Sequence, residues 1–497
     1  MSKYRLTAAM LALFLLISPA VRPAEALAPT GVHDGDYSAK VTFYLPSVND
    51  GELLPVTERL HLSSIFSPEE SVLRYLLEYP ADDEHRAIPG DGMVQLADGQ
   101  SYINSRGTAV INFNDAYAQL DASGRYLLAQ CVTNTLCALG RVSAVVILCE
   151  GRPISLSDQE EIPAGAFRQS KGEDLPLVQA QLMARRSEES ALRYSADTAL
   201  YYPAQAGHGI ICETRSVSFP EPGEVQIVRT LLDALSAPPE QLKDVPVMPM
   251  LTEFLTRDPE IIPLEDDTRA VELHFSSAFN QEINSLGILR SVLLASIATT
   301  VISFMPDTSA VICYIGPERV GGLVPVGLYE HTNESIIFQD GLLKWKDFSY
   351  FQLTESKLYF PNDKNDLVES IRLLPASWAD SPEKMISALI AGPSYYDSAS
   401  DLHSAFPVGF SQQDILGIDV RNDTCLLNLS GITAEKGRDF SEREERNMIY
   451  SLVNVLTDLP WCKRVEIYLD GEQPDVFLHS IYLPGSFMRY TDYIVPQ

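Results

Sequence analysis

Residues with the chemistry for catalysis or metal binding are spread thinly along this chain. The eight histidines fall at positions that do not recur, and the seven cysteines form no Cys-x-x-Cys pair. The sequence contains no Gly-x-Ser-x-Gly, no His-Glu-x-x-His and no phosphate-binding glycine loop. It therefore predicts no catalytic residue, no cofactor-binding residue and no metal ligand.

Four polar residues are the remaining candidates for a site: Asn134, Asn454, Asp470 and His274. The two asparagines fall at equivalent places in predicted helices, where a side-chain amide that faces the sheet is expected to bond backbone at a strand end. Asp470-Gly471 follows a predicted strand, as Glu150-Gly151 does earlier in the chain, and an acid before glycine is typical of a tight turn. An acidic site at these two places is the alternative.

The elements that would position these residues follow a pattern that occurs three times. Phe43-Tyr44-Leu45-Pro46 recurs as Leu200-Tyr201-Tyr202-Pro203 and as Leu358-Tyr359-Phe360-Pro361, so the marker prolines lie 157 and 158 residues apart. Repetition at this interval indicates three copies of one domain, each large enough to have its own core.

Each copy predicts the order strand, strand, helix, one or two strands, helix, strand. Two of the first helices begin with serine before a first-turn proline, at Ser67-Pro68 and Ser381-Pro382, which is an N-cap signal. The second helix of each copy has apolar residues at i, i+3, i+4 and i+7, a stripe on one side. The predicted fold class is α+β: three tandem repeats of a small two-layer domain, with two helices packed on one face of a mixed sheet.

The N-terminus predicts export. Lys3 and Arg5 precede an apolar stretch, and Ala26-Leu27-Ala28 is a small-x-small cleavage site, as in a secretory signal peptide. A lipid anchor is not expected because the first cysteine is Cys131. The predicted segments are a signal peptide (1–28), a first domain (29–170), a linker (171–196), a degenerate second domain (197–345) and a third domain (346–497).

Charge and composition exclude some partners. The net charge is −30, whereas affinity for nucleic acid or for anionic lipid comes from clustered basic residues. The apolar segment 286–305 is predicted to be a buried core helix, so no membrane span is expected after signal cleavage. The odd number of cysteines favours buried thiols, with one disulfide left open.

The third copy resembles the GerMN domain, found in sporulation and spore-germination proteins and in other extracytoplasmic bacterial proteins. The resemblance covers about 356–475 and is carried by Ala391-Gly392-Pro393, Val453-Asn454-Val455-Leu456-Thr457 and Asp470-Gly471. The first copy (about 40–152) is similar to the same family through residues 130–136. The second (about 197–320) is degenerate, with Ala298-Thr299-Thr300 replacing the asparagine-containing string. Members generally carry two such domains and are often lipoproteins, and this chain differs on both points.

The resemblance implies an exported, non-enzymatic protein of sporulation or spore germination that acts by assembly at the cell envelope. Its expected partners are other envelope or sporulation proteins, with a homo-oligomer left open and nucleic acid excluded. Exposed sheet edges are a route to such pairing. The alternative is an extracytoplasmic cell-envelope enzyme or ligand sensor with a site between domains. A close cluster of buried acids and histidine would favour this alternative.

Overall fold

A computed structural model describes residues 36–49, 52–63, 67–90, 92–97, 101–156, 163, 165–170, 194–204, 209–220, 223–243, 245–331, 333–394 and 401–495. The predicted signal peptide lies outside the described residues, as does most of the predicted linker. Residues 194–196 of that linker are the start of a strand instead.

The described elements follow one order three times, and each set is called a repeat. The first repeat contains β1 (Asp36–Pro46), β2 (Leu53–Ser63), α1 (Pro68–Leu77), β3 (Tyr102–Ile103), β4 (Thr108–Phe113), α2 (Ala122–Ala138) and β5 (Ala144–Cys149). The second contains β6 (Tyr194–Pro203), β7 (Ile210–Phe219), α3 (Glu224–Ser236), β8 (Glu260–Pro263), β9 (Arg269–Phe275), α4 (Ala278–Ser285), α5 (Arg290–Ile302) and β10 (Thr308–Ile315).

Short strands follow the second repeat: β11 (Glu318–Arg319), β12 (Gly322–Leu323), β13 (Ile336–Ile337) and β14 (Leu343–Lys344). The third repeat contains β15 (Gln352–Pro361), β16 (Leu367–Pro375), α6 (Pro382–Ile390), β17 (Ile415–Arg421), β18 (Thr424–Leu429), α7 (Ile432–Lys436), α8 (Glu442–Thr457) and β19 (Arg464–Leu469). The C-terminal strands are β20 (Phe487–Met488) and β21 (Ile494–Val495).

The first helices have the predicted caps. The Ser67 hydroxyl accepts a hydrogen bond from the Glu70 backbone N–H at 3.2 Å, which caps α1. Ser381 caps α6 in the same way, accepting from the Lys384 N–H at 3.3 Å. A proline follows each cap and has no N–H that would need a partner, so the cap and the proline together begin the helix.

The strands of a repeat do not form the single sheet that was predicted. β1 and β2 form an antiparallel hairpin of their own, whereas β3, β4 and β5 form a second sheet. In the second sheet of every repeat the closing strand is parallel to its neighbour, as in the pairs β4–β5, β9–β10 and β18–β19. Each repeat is therefore α+β, with a hairpin and a mixed sheet.

The second helix separates the two sheets. Every residue from Ser291 to Ile302 of α5 is buried, and so is every residue from Leu128 to Leu136 of α2. The sequence predicted that only one side of these helices would be buried. They are buried on all sides instead, so other elements must pack around the whole helix. These helices contact the first hairpin strand on one side and the closing strand of the mixed sheet on the other.

The mixed sheet of the first repeat is covered on both faces. All residues of β4 and β5 are buried, and they divide between two cores. Ile111, Val145 and Ile147 pack in a core that also contains residues of the third repeat, whereas Val146 and Leu148 pack with the second repeat. The prediction of a sheet with one covered face is wrong for this repeat, because the second repeat covers the other face.

The hairpins of the second and third repeats join edge to edge. Gln352 pairs with Ile210 and Leu353 with Ile211, so that β15 lies parallel to β7. The resulting five-stranded sheet has the order β21-β16-β15-β7-β6. Backbone hydrogen bonds therefore connect these two repeats in addition to side-chain packing.

The apolar segment 286–305 is confirmed as a buried core helix, now bounded as α5. No single helix among the described residues is long and apolar enough to cross a membrane. The consecutive helices α4 and α5 have the length and apolar composition of a membrane span only when they are taken together. The angle of the bend between them is 107°.

The interior helices make a prediction about stability. Leu456 in α8 is fully buried, so Leu456→Ala should lower the free energy of unfolding by about 2–5 kcal/mol, as large-to-small core changes do. Urea unfolding followed by circular dichroism measures this change. The control is Asp470→Asn, since an asparagine oxygen can still accept from the Gly431 N–H and tolerates the positive φ of this turn. Equal midpoints for Leu456→Ala and wild type would contradict the packing of α8.

Candidate functional site

Asn134 and Asn454 hold the segments that follow their repeats. The Asn134 amide donates to the Ser170 carbonyl at 3.1 Å and accepts from the Ser170 N–H at 3.0 Å. Asn454 makes the same pair of bonds to Tyr490, at 3.5 and 3.1 Å. The partner lies 36 residues beyond the asparagine in both cases. These side chains bond backbone, as predicted, but their partners lie in the segments that follow the repeats and not at a strand end.

A second asparagine pair holds the turns after the closing strands. The Asn112 oxygen accepts from the Gly151 N–H at 2.9 Å, and the Asn428 oxygen accepts from the Gly471 N–H at the same distance. Both glycines have positive φ, as has the acid before each of them. The tight-turn interpretation of Asp470-Gly471 and Glu150-Gly151 is thus confirmed. Neither Asn112 nor Asn428 was singled out from the sequence, although both occupy the same strand position.

His274 takes the corresponding strand position in the second repeat. Its ring stacks on Tyr314 with 4.2 Å between ring centroids, and its Nε2 lies 2.6 Å from a Glu272 oxygen. Arg257 contacts both Glu272 and His274. None of the described contacts links this cluster to Asn134, Asn454 or Asp470, which belong to the other two repeats.

The cysteines are free thiols, and six of the seven are buried. Burial raises the pKa of the Cys212 and Cys313 thiols to about 12, which keeps them protonated at neutral pH. These thiols act as small apolar side chains, as predicted. Among the described residues, no group of three or more His, Cys, Asp or Glu could hold a metal ion.

A cleft between the first and third repeats is a site that no sequence motif revealed. It has a volume of about 460 Å³ and is called the inter-repeat cleft. Matching elements of the two repeats form its walls: the capped N-termini of α1 and α6, and the edge strands β3 and β17. The lining residues are Ser67, Glu69, Glu70, Leu73, Leu96, Ser101, Tyr102, Ile103, Ile111, Ala376, Ser377, Asp380, Ser381, Pro382, Glu383, Ile418, Asp419, Val420 and Trp461.

One arginine connects the acids of the two walls. The Arg141 guanidinium donates to Glu69 at 2.9 Å and lies 3.8 Å from Asp380 of the third repeat. Arg141 stands three residues before the first paired residue of β5, and Trp461 stands three residues before that of β19. The two repeats therefore place different residues at one equivalent position, an arginine and an indole.

Burial sets the charge state of these acids. The side chain of Glu69 is only 3% exposed, and its burial raises the pKa of the carboxyl group despite the opposing charge of Arg141. Burial likewise raises the pKa of Asp380, again against Arg141. For each carboxylate, the loss of hydration on burial therefore outweighs the stabilisation that Arg141 gives to the charged form.

Three carboxylate oxygens of the cleft lack hydrogen bonds. Glu69 Oε2, Asp380 Oδ1 and Asp419 Oδ2 are buried and accept none from the described residues. Asp380 Oδ1 and Asp419 Oδ2 each lie 3.8 Å from a guanidinium group, that of Arg141 and that of Arg421, which is an ion pair too long for a hydrogen bond. Buried acceptors without a hydrogen bond are uncommon in folded proteins. The cleft thus combines acceptors that lack a hydrogen bond with apolar walls that include Ile103 and Trp461.

Comparison with known families identifies the outer repeats. Residues 42–155 and 357–475 match the family model Germane, described as sporulation and spore germination. These two repeats are GerMN-like domains. The matched residues make up just under half of the chain and leave the second repeat outside them. No curated protein matches the chain.

The solved structures that are similar to parts of the chain include the following three. The tandem GerMN domains of the sporulation protein GerM from Bacillus subtilis share 15% identity, with 60% of this chain and 98% of that chain covered and a TM-score of 0.22. A putative lipoprotein from Clostridium perfringens shares 20%, covering 27% and 87%, with a TM-score of 0.19. The first GerMN domain of GerM shares 20%, covering 28% and 98%, with a TM-score of 0.21.

The cleft joins the two GerMN-like repeats, which explains why the sequence did not reveal it. The only signal was the repeated Ser-Pro start of α1 and α6, because it predicts two capped helix N-termini at equivalent places. Nothing in the sequence shows that these two N-termini face each other. Arg141, Asp380 and Asp419 were therefore missed.

Loss of an asparagine clamp should destabilise its GerMN-like repeat. Asn454→Leu keeps the side-chain size but removes both hydrogen bonds to the Tyr490 backbone, which should cost about 1–3 kcal/mol. Urea unfolding gives the cost, and hydrogen exchange at the Tyr490 amide locates it. Thr299→Val is the matched control, since the Thr299 hydroxyl makes no hydrogen bond to the described residues. Equal losses in both variants would argue against the clamp.

The buried carboxyl of Glu69 makes a prediction about pH. Its folded-state pKa is raised above the ordinary value of 4.5, so the folded protein holds this proton more tightly than the unfolded chain. That stabilisation is fully present below 4.5 and is lost as the pH rises through the folded-state pKa. The free energy of unfolding of wild type, relative to Glu69→Gln, should therefore increase as the pH falls from neutral toward about 4.5. Urea titrations across this range measure the difference, and a constant difference would contradict it.

Proposed function

We propose that the protein is an exported, non-enzymatic factor of sporulation or spore germination that acts by assembling with other proteins at the cell envelope. The family of the outer repeats supports the biological setting. We further propose three tandem domains, at 29–170, 197–345 and 346–497, of which the second is a degenerate GerMN-like domain. The threefold order of elements supports this layout.

The main support for a scaffold is what the shared polar residues do. Asn112 and Asn428 hold turns, and Asn134 and Asn454 hold trailing segments, all through backbone hydrogen bonds. Residues that recur between the repeats thus maintain the fold. A site for chemistry would instead need side chains that point at a substrate.

The hairpin of β12 and β13 has the character of a contact surface. Ile337 on β13 is 80% exposed, and Val324 and Val326, which follow β12 in the chain, are each about half exposed. Exposed apolar side chains that form a continuous patch are typical of protein interaction sites. The hairpin lies outside the two family matches, so a contact there would not be made by the matched domains.

The second candidate function is ligand sensing at the inter-repeat cleft. The observation that favours it is the set of orphaned, buried carboxylate oxygens between the first and third repeats. A ligand held by both walls would couple its binding to the relative position of the two repeats. This candidate is compatible with assembly, since a bound ligand can change which surface is presented.

Deletion of the gene tests the proposal. We expect defects in spore formation or germination that the wild-type gene restores. Ile337→Ser should reduce affinity capture of partners and restore function poorly, because it removes apolar contact area from the exposed hairpin. Ile371→Ser is the matched control, an isoleucine 52% exposed on β16. If His274→Ala abolished function with export, folding and partner capture unchanged, a catalytic or ligand-binding site would replace the scaffold proposal.

A further inference from the structure

The inter-repeat cleft has the chemistry of a site for a positively charged group. Five of its lining residues are acids, and none of the described lining residues is basic. Three arginines reach these acids: Arg141 contacts Glu69, Arg74 pairs with Glu70, and Arg421 lies near its strand neighbour Asp419. Acids outnumber the arginines, so the cleft keeps an excess of negative charge.

The two helix N-termini do not reverse this balance. Each contributes about half a positive charge, and both begin at the cleft. Glu69 and Glu70 in the first turn of α1, and Glu383 in that of α6, already face these ends. An anion would thus have to approach acids that are close to the same N–H groups. A cation would instead be attracted by these acids.

The missing partners of the cleft are donors. Glu69 Oε2, Asp380 Oδ1 and Asp419 Oδ2 accept no hydrogen bond from the described residues, and the Glu69 side chain is almost completely buried. Two of these oxygens belong to the third repeat and one to the first. The N–H groups of an ammonium can donate to these oxygens.

The rest of the lining sets the shape of the ligand. Leu73, Leu96, Ile103 and Ile111 form an apolar wall in the first repeat, and Trp461 lies on the side of the third. An alkyl chain packs well on such a surface, and an ammonium group can also contact the face of an indole. The chemistry that fits is a primary amine on an apolar stem.

We propose that the inter-repeat cleft binds an alkylammonium group, from a free amine or from a lysine side chain of a partner, with Glu69, Asp380 and Asp419 accepting its hydrogen bonds. This inference rests on the second candidate function and names the ligand class for it. Because the acceptors come from both repeats, bound ligand would hold the first and third repeats together.

The test uses the full exported chain and isothermal titration calorimetry. The probes are 1,5-diaminopentane, its neutral isostere 1,5-pentanediol and the peptide acetyl-Ala-Lys-Ala-amide. We expect the diamine or the peptide to bind and the diol not to bind. Tighter binding of the peptide would identify a protein lysine as the source, and tighter binding of the diamine a free amine. Quenching of Trp461 fluorescence, lost in Trp461→Phe, would place the probe in the cleft.

Variants separate cleft binding from general attraction to an acidic protein. Asp380→Asn and Asp419→Asn should each weaken binding about tenfold, as loss of a charged hydrogen-bond acceptor does. Asp419 has no contact with Arg141 among those described, so its variant leaves the arginine bridge in place. Glu442→Gln removes an exposed charge outside the cleft and should bind like wild type.

Three results would overturn the inference: no binding of either amine, equal binding of the diol, or equal weakening by Glu442→Gln and the cleft variants. Partner capture distinguishes this failure from failure of the assembly proposal. Absent amine binding with normal capture and normal sporulation would remove the cleft ligand and leave the assembly proposal unaffected.

Discussion

Burial of one small sheet on both faces determines how the repeats are arranged. The strands β4 and β5 have no face left for water, because one side packs in the core shared with the third repeat and the other packs on the second repeat. If either neighbouring repeat were removed, one face of this sheet would become exposed, and the contact of its aliphatic side chains with water would be unfavourable. The first repeat is therefore held between the other two, and the cleft at its α1 end exists because the third repeat meets it there.

The sequence predicted local structure well and long-range structure poorly, for physical reasons. The Ser-Pro caps, the acid-glycine turns and the order of elements depend on residues close together in the chain, so their patterns were readable. The single sheet was wrong because the i, i+3, i+4 spacing shows one apolar side of α2 and α5. Small residues outside that stripe, such as Cys131 and Ser296, are fully buried as well. No local sequence pattern shows that β4 and β5 are covered on both faces, because the second face is covered by another repeat.

In the candidate site, too, the local contacts were predicted from the sequence and the long-range contacts were not. The backbone role of Asn134 and Asn454 followed from their position within a helix, and the structure added only the identity of the residues they hold. Glu69, Asp380 and Asp419 carry no signal in the sequence, because an acid at a helix start or on an edge strand is ordinary there. These acids stand out because one oxygen of each is buried and accepts no hydrogen bond from the described residues. This burial arises only when two repeats that are more than 200 residues apart in the sequence come together.

The 36-residue reach of the asparagine clamps redefines where a GerMN-like repeat ends in this chain. The family matches stop at residues 155 and 475, yet the clamped residues are Ser170 and Tyr490. A fragment cut at the limits of the family match would contain a fully buried asparagine whose tether had been removed. A repeat of this chain is accordingly longer than the homologous segment, since residues beyond the family match supply the backbone that each buried asparagine holds.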